Sequence, residues 1–269
     1  LHLLSRRQRQ MCIRDRSWEG ICSKDGRPFS EGSPLEITGR LSLLRHPILE
    51  EFAFLDSIVD GGVMKKQHIP SPAEVMTQII QRVERTQIET VYSDIRLLTD
   101  DIASCYKFLL TKLYDAGCRY VQFDGVHSVI MEDTIRLNNR VLRERPAGMY
   151  VAFHAPTDML VQLHGADAYF LNYDCGACDR NRLLWFIHEK EAVFGFVLSH
   201  YPQEDELDEL QAKTESVLNY IPLKRFTLCL PDANALLSPS EADEEKQWET
   251  VRLGMLSLIH ISEPTRPLY

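Results

Sequence analysis

The sequence lacks any apolar run near the roughly 18 residues of a membrane-spanning helix; its longest, such as AVFGFVL, fall far short. A soluble chain with no membrane partner is expected. It has no G-x-G-x-x-G turn, which counts against a dinucleotide-binding fold, and no internal repeat or low-complexity tract. Basic residues are also short, 30 Lys and Arg against 39 Asp and Glu, for a formal net charge of −9. A phosphate backbone repels that charge, so nucleic acid is not an expected partner. Cysteine is too scattered, seven in 269 residues, for the disulfide framework of a small secreted domain, and a reducing, cytoplasmic compartment is expected. What remains is ordinary globular composition, 44% apolar and 26% charged, long enough for one large domain.

Both ends read as foreign. Arg6 to Arg16, RRQRQMCIRDR, resembles the translation of a transposase adaptor used in sequencing libraries, and Leu256 to Arg266, LSLIHISEPTR, resembles that of its partner adaptor. Residues 1–16 and 256–269 are therefore set apart as adaptor-derived, leaving residues 17–255 as the folded domain. The first 16 residues carry five arginines and one aspartate, so that domain alone holds about −13.

Alternation and β-branched or aromatic enrichment predict strands near 35–40, 63–68, 119–124, 149–154, 168–172, 192–198 and 226–230. Helical periodicity fills the intervals, with start signals at Ser71-Pro72-Glu74 and Thr99-Asp100-Asp101 and a stop at Gly117. Alternating strand and helix predicts a parallel α/β sheet, open or closed. Polar residues recur at successive strand ends: Asp124, His154, Asn172 with Asp174, Ser199 with His200, and Asp232. A (β/α)8 TIM barrel gathers such residues at one mouth. Seven strands are one short, and the expectation is a barrel truncated at its N-terminus, its first strand and helix missing.

The segments KKQHIPSP (Lys65 to Pro72), LYDAGCRYVQFDG (Leu113 to Gly125), AYFLNYD (Ala168 to Asp174) and QEDELDELQAKTESVLNYIPLKRFTLCLPD (Gln203 to Asp232) together resemble the C-terminal barrel of cobalamin-independent methionine synthase. The short, single-barrel bacterial homologues are the nearest in form, and the likeness runs with gaps from about Gly39 to Trp248. It implies a barrel that uses zinc to activate the thiol of homocysteine for methyl transfer from a methyl-folate. A thiol with a pKa of about 8.5 is a weak nucleophile at neutral pH, and coordination deprotonates it.

The implied ligand set carries over poorly. His154, in AFHAP, matches the family histidine, but Pro156 stands where its paired cysteine belongs, Asn172 where the glutamate belongs, and Ala233 where the last cysteine belongs. The loop after His154 is also shorter than in the relatives. Asp124 matches the aspartate that helps bind the amino acid substrate; the acid that follows it in the family is Gly125 here, and an aromatic two positions further is His127.

Two readings of His154 stay open. It is a strand-end histidine held by a neighbour, or it joins Cys175 and Cys178, a new C-x-x-C in the loop that lost a ligand, in a relocated zinc site. Cys105, Cys118 and Cys229 read as packing residues. The functional expectation is a methyltransferase acting on a small thiol or amino acid. The alternative is a zinc-free relative that binds a small amino acid or a protein partner, and a tetrapyrrole decarboxylase is disfavoured because basic residues are sparse at the strand ends.

Overall fold

The structure, a computed structural model, describes residues 18–24, 34–59, 61–199 and 206–229. It divides into two compact units, one running to Asp167 and the other from Ala168. The adaptor-like ends, His200, Asp232 and Ala233 lie outside the described residues.

The first unit opens with an antiparallel hairpin of β1 (Trp18–Ser23) and β2 (Leu35–Leu43). Gly20 sits at its bulge with φ +83, and a Cβ there would lie 2.4 Å from the Arg40 carbonyl oxygen, so only glycine fits. Helix α1 (Pro47–Ile58) follows, then β3 (Lys66–Pro70), α2 (Pro72–Arg82), α3 (Arg85–Val91) and the long α4 (Ile95–Asp115). After these come β4 (Tyr120–Asp124), α5 (Glu132–Glu144), β5 (Tyr150–His154) and the short α6 (Thr157–Leu160). Strands β3, β4 and β5 pair in parallel, in register from Lys66, Tyr120 and Tyr150 to Pro70, Asp124 and His154. Val121, Phe123, Val151 and Phe153 are fully buried on one face, and Gln122 and Ala152 are buried on the other, as strands covered on both faces require. Helices α2, α4 and α5 pack against one another.

Three expectations are corrected here. The strand near 35–40 does not open the parallel sheet: β2 pairs antiparallel with β1 at both its ends, around the bulge at Gly20, which sequence patterning did not reveal. Its anchor is a polar link, in which the Tyr92 hydroxyl accepts from Leu41 N (2.7 Å) and donates to Asp101 (2.9 Å), itself paired with Arg40. The strand placed at 63–68 lies at Lys66–Pro70 instead, because Ser71 caps α2 by accepting from Glu74 N (3.0 Å) and so fixes the strand end just before it. Likewise α4 starts at Ile95 under an Asp94 cap, ahead of the predicted Thr99 signal, and its end at Asp115 is followed by the predicted stop residue Gly117, with φ +97.

The second unit contains β6 (Ala168–Asn172), α7 (Ala177–His188), β7 (Val193–Val197), α8 (Leu207–Leu218), a 3-10 turn (Leu223–Arg225) and β8 (Phe226–Cys229). Strands β6, β7 and β8 also pair in parallel. Phe170 and Phe196 are fully buried here, and Gly195 makes room for the first: a Cβ at Gly195 would come 2.2 Å from the Phe170 ring. Both units are thus parallel α/β structures with helical crossovers. Among the described residues no helix is long and apolar enough to cross a membrane.

Two consequences can be measured. Gly195→Ala overpacks the second core and should cost about 1–3 kcal/mol in denaturant unfolding. His46, only 2% exposed, caps α1 with Nδ1 accepting from Ile48 N (3.2 Å), and burial lowers its pKa from 6.5 to about 4. The unfolded chain therefore takes up this proton first as pH falls, so stability is lost between about pH 6.5 and pH 4. His46→Asn keeps a capping side chain and should flatten that part of the stability profile; an unchanged slope would place its origin elsewhere.

Candidate functional site

Parallel register and the two-residue period of a strand place Lys66 and His68 of β3, Gln122 and Asp124 of β4, and His154 of β5 on one face. Asp124, the last residue of β4, is the centre of the group. Its Oδ2 lies 3.3 Å from His68 Nδ1 and its Oδ1 lies 3.3 Å from His154 Nδ1. Gln122 Nε2 donates to the same Oδ1 (3.0 Å), and Gln122 Oε1 accepts from Lys66 Nζ (3.0 Å). That second bond fixes which way the Gln122 amide points. A chain of contacts so runs from Lys66 through Gln122 to the carboxylate and its two imidazoles.

Burial alone would raise the Asp124 pKa. The hydrogen bonds from His154 and His68, with their charges, outweigh it and hold the carboxyl well below the usual carboxylate range. Asp124 is an anion at neutral pH and accepts only, so each histidine offers it Nδ1–H. The two rings differ in access: the His68 side chain is 29% exposed and that of His154 8%.

Backbone pairing continues past the strand ends and braces the group. Ser71 N donates to Asp124 O (2.7 Å), Gly125 N to His154 O (2.8 Å), and the Tyr106 hydroxyl of α4 to Pro70 O (2.7 Å). Gly125 is buried beneath this bracing. A Cβ there would stand 2.6 Å from Ser71 Oγ and 3.0 Å from Ser128 Oγ, which explains why no second acid follows Asp124. His127 is exposed.

Asn172 is an exposed amide at the end of β6. Cys175 is half-buried and Cys178 exposed at the start of α7, both as free thiols. Burial raises the Cys175 pKa, away from thiolate, despite Lys213 and Arg180 nearby. Asp174 and Ser199 are brought together with Tyr173, Glu206 and Glu209 around an acidic cleft. Lys213 Nζ stands 3.8 Å from the Tyr173 ring centre and donates to Tyr173 O (2.5 Å). The Cys105 and Cys118 thiols are buried and pushed up by that burial to about 12 and about 11, as packing residues should be.

A thiol-activating zinc needs three protein ligands and an open position. His154, tethered through Nδ1, is oriented as one ligand would be. Pro156 offers no donor atom, and Asn172 offers a neutral amide. Among the described residues, no three or more His, Cys, Asp or Glu side chains are grouped so as to hold a metal ion. His154 belongs to the first unit, Cys175 and Cys178 to the second. Among the described residues, the donors around His154 do not make a zinc site.

His68, the last residue of the strand predicted at 63–68, was not counted among the polar strand-end residues in the sequence reading. The signal was present in HIPSP, where the Ser71-Pro72 cap sets the end of β3 at Pro70 and so puts His68 on the same face as Asp124.

No family model matches the chain. YxjG and YxjH of Bacillus subtilis (strain 168), both uncharacterised, are 24% and 25% identical to it over 260 residues, covering 81% of this chain and 67% of each relative. In fold it resembles a protein of Listeria monocytogenes assigned provisionally as a vitamin-B12-independent methionine synthase. That match has a TM-score of 0.68 and 24% identity, over 91% of this chain and 76% of the other. A methyltransferase from Methanosarcina mazei aligns with a TM-score of 0.50 and 12% identity, over 79% and 66% of the two chains. At these identities what is shared is the α/β fold.

The bracing around Gly125 predicts that Gly125→Ala, by displacing the Ser71 cap or the β4 end, destabilises the protein by about 1–3 kcal/mol in urea unfolding. A neutral result would mean that Ser71 and Ser128 give way freely.

Proposed function

We propose that this chain is a methionine-synthase-like protein of methyltransferase type, its parallel strands closing as a (β/α)8 barrel, whose strand-end site binds a small amino acid thiol such as homocysteine without zinc. The observation that carries the reading is the ionised Asp124, fixed at the end of β4 with a partly exposed imidazole beside it. A carboxylate has about four acceptor positions. Oδ1 takes Gln122 and His154, while Oδ2 takes His68 and keeps room for a substrate ammonium. Such a charge-assisted bond contributes about 1.5–3 kcal/mol.

Methyl transfer from a methyl-folate is a second reading, supported by the fold likeness to the Listeria and Methanosarcina proteins. In either case the chain's own residues bind the ammonium and orient the thiol beside His68.

Calorimetry of homocysteine binding in the presence of a chelator tests the proposal, with zinc content measured on the same protein. Binding without stoichiometric zinc is expected, with Asp124→Asn weakening it about 10- to 100-fold. Failure to bind homocysteine or methionine would overturn the reading. Binding that vanishes on chelation would return the site to zinc.

A further inference from the structure

We propose that His68 is the group that removes the proton from a substrate thiol in this site, so that imidazole and carboxylate do there what a metal does elsewhere. The inference rests on the reading above, that the Asp124 site takes a small amino acid thiol.

The tautomer is the first step. Because ionised Asp124 only accepts, a neutral His68 directs Nδ1–H at Oδ2 (3.3 Å) and leaves its lone pair on Nε2. Asp124 is held from turning away by Gln122, and Gln122 by Lys66. The ring is therefore oriented in the manner of a base backed by a third group. Access is the second step: of the two imidazoles on Asp124, the His68 ring is the one open to a dissolved ligand, with 29% of its side chain exposed against 8% for His154.

Charge is the third. The charged or titratable groups around His68 are Asp124 from β4, His154 on the far oxygen of that carboxylate, and Lys66 of its own strand, joined to them through Gln122. The carboxylate is in direct contact and stabilises an imidazolium; Lys66 acts through Gln122. In the transfer the S–H bond breaks, an Nε2–H bond forms, and the electron pair stays on sulfur. The products are a thiolate and an imidazolium, with net charge unchanged. A free thiol with a pKa of about 8.5 is only a few per cent ionised at neutral pH, so a base in contact with it raises the reactive fraction directly.

The test is a pH titration of the ultraviolet thiolate absorbance of protein-bound homocysteine, with chelator present, expressed per bound ligand. Methionine, which has no proton on sulfur, is the control for binding. In the wild type, bound homocysteine should ionise at least about one pH unit below free homocysteine, a tenfold gain in thiolate. His68→Asn places an amide N–H where Nδ1–H stood, keeping a donor to Asp124 but no base, and should abolish that gain. If methionine and homocysteine both fail to bind, the site reading itself falls. If they bind but the thiol ionises as it does in water, or equally early in His68→Asn, the site reading stands and the base assignment is overturned. The wild-type titration decides the matter even if the variant does not fold.

Discussion

The carboxylate of Asp124 is the constraint on which the rest of the site depends. A charge withdrawn in part from water is tolerated only where hydrogen bonds replace the water it has lost. Here three donors do so, the two imidazole Nδ1–H groups and the Gln122 amide. The benefit is mutual: the anion keeps both rings in one tautomer, and the rings keep the anion ionised. Removing any one partner takes a hydrogen bond from the carboxylate. The five residues on this face therefore act as one electrostatic object.

That object exists because three strands end at the same level. Parallel pairing in register brings residues far apart in sequence, His68, Asp124 and His154, to one edge. Small interactions then decide how sharply the edge is defined. The Ser71 cap stops β3, the Tyr106 hydroxyl holds the Pro70 carbonyl, and the missing Cβ of Gly125 lets the β4 end settle onto Ser71 and Ser128. Each is local, and together they set distances between groups from separate strands.

How much of this was legible in the sequence follows the range of the forces involved. Strands β4, β5 and β6 were visible within about a residue, because buried parallel strands are short apolar runs bounded by turns, and Asp124 and His154 stood out at their ends. The hairpin was not visible. Its partners are joined by long-range pairing and by the Tyr92–Asp101–Arg40 link, none of which leaves a local pattern. His68 closed the strand as predicted at 63–68 yet was not counted among the strand-end polar residues, and only the pairing of β3 with β4 shows that it shares the Asp124 face. The C-x-x-C drew attention by spacing alone, which says nothing of whether two thiols meet a third ligand.

A metal centre and a carboxylate-backed imidazole such as His68 make different demands on the residues around them. A metal centre deprotonates a thiol by direct coordination and needs several donors at fixed angles, so the loss of one or two ends its function. A carboxylate-backed imidazole needs one contact to the thiol and one to its carboxylate. Asp124 lies within hydrogen-bonding reach of both His154 and His68, and orients both rings without any metal. A site of this kind is a weaker activator, because the proton is moved to a neutral base rather than displaced by a cation. It is also more tolerant of substitution in the surrounding loops. Pro156 and Asn172, ruinous in a zinc centre, cost such a site nothing in its chemistry.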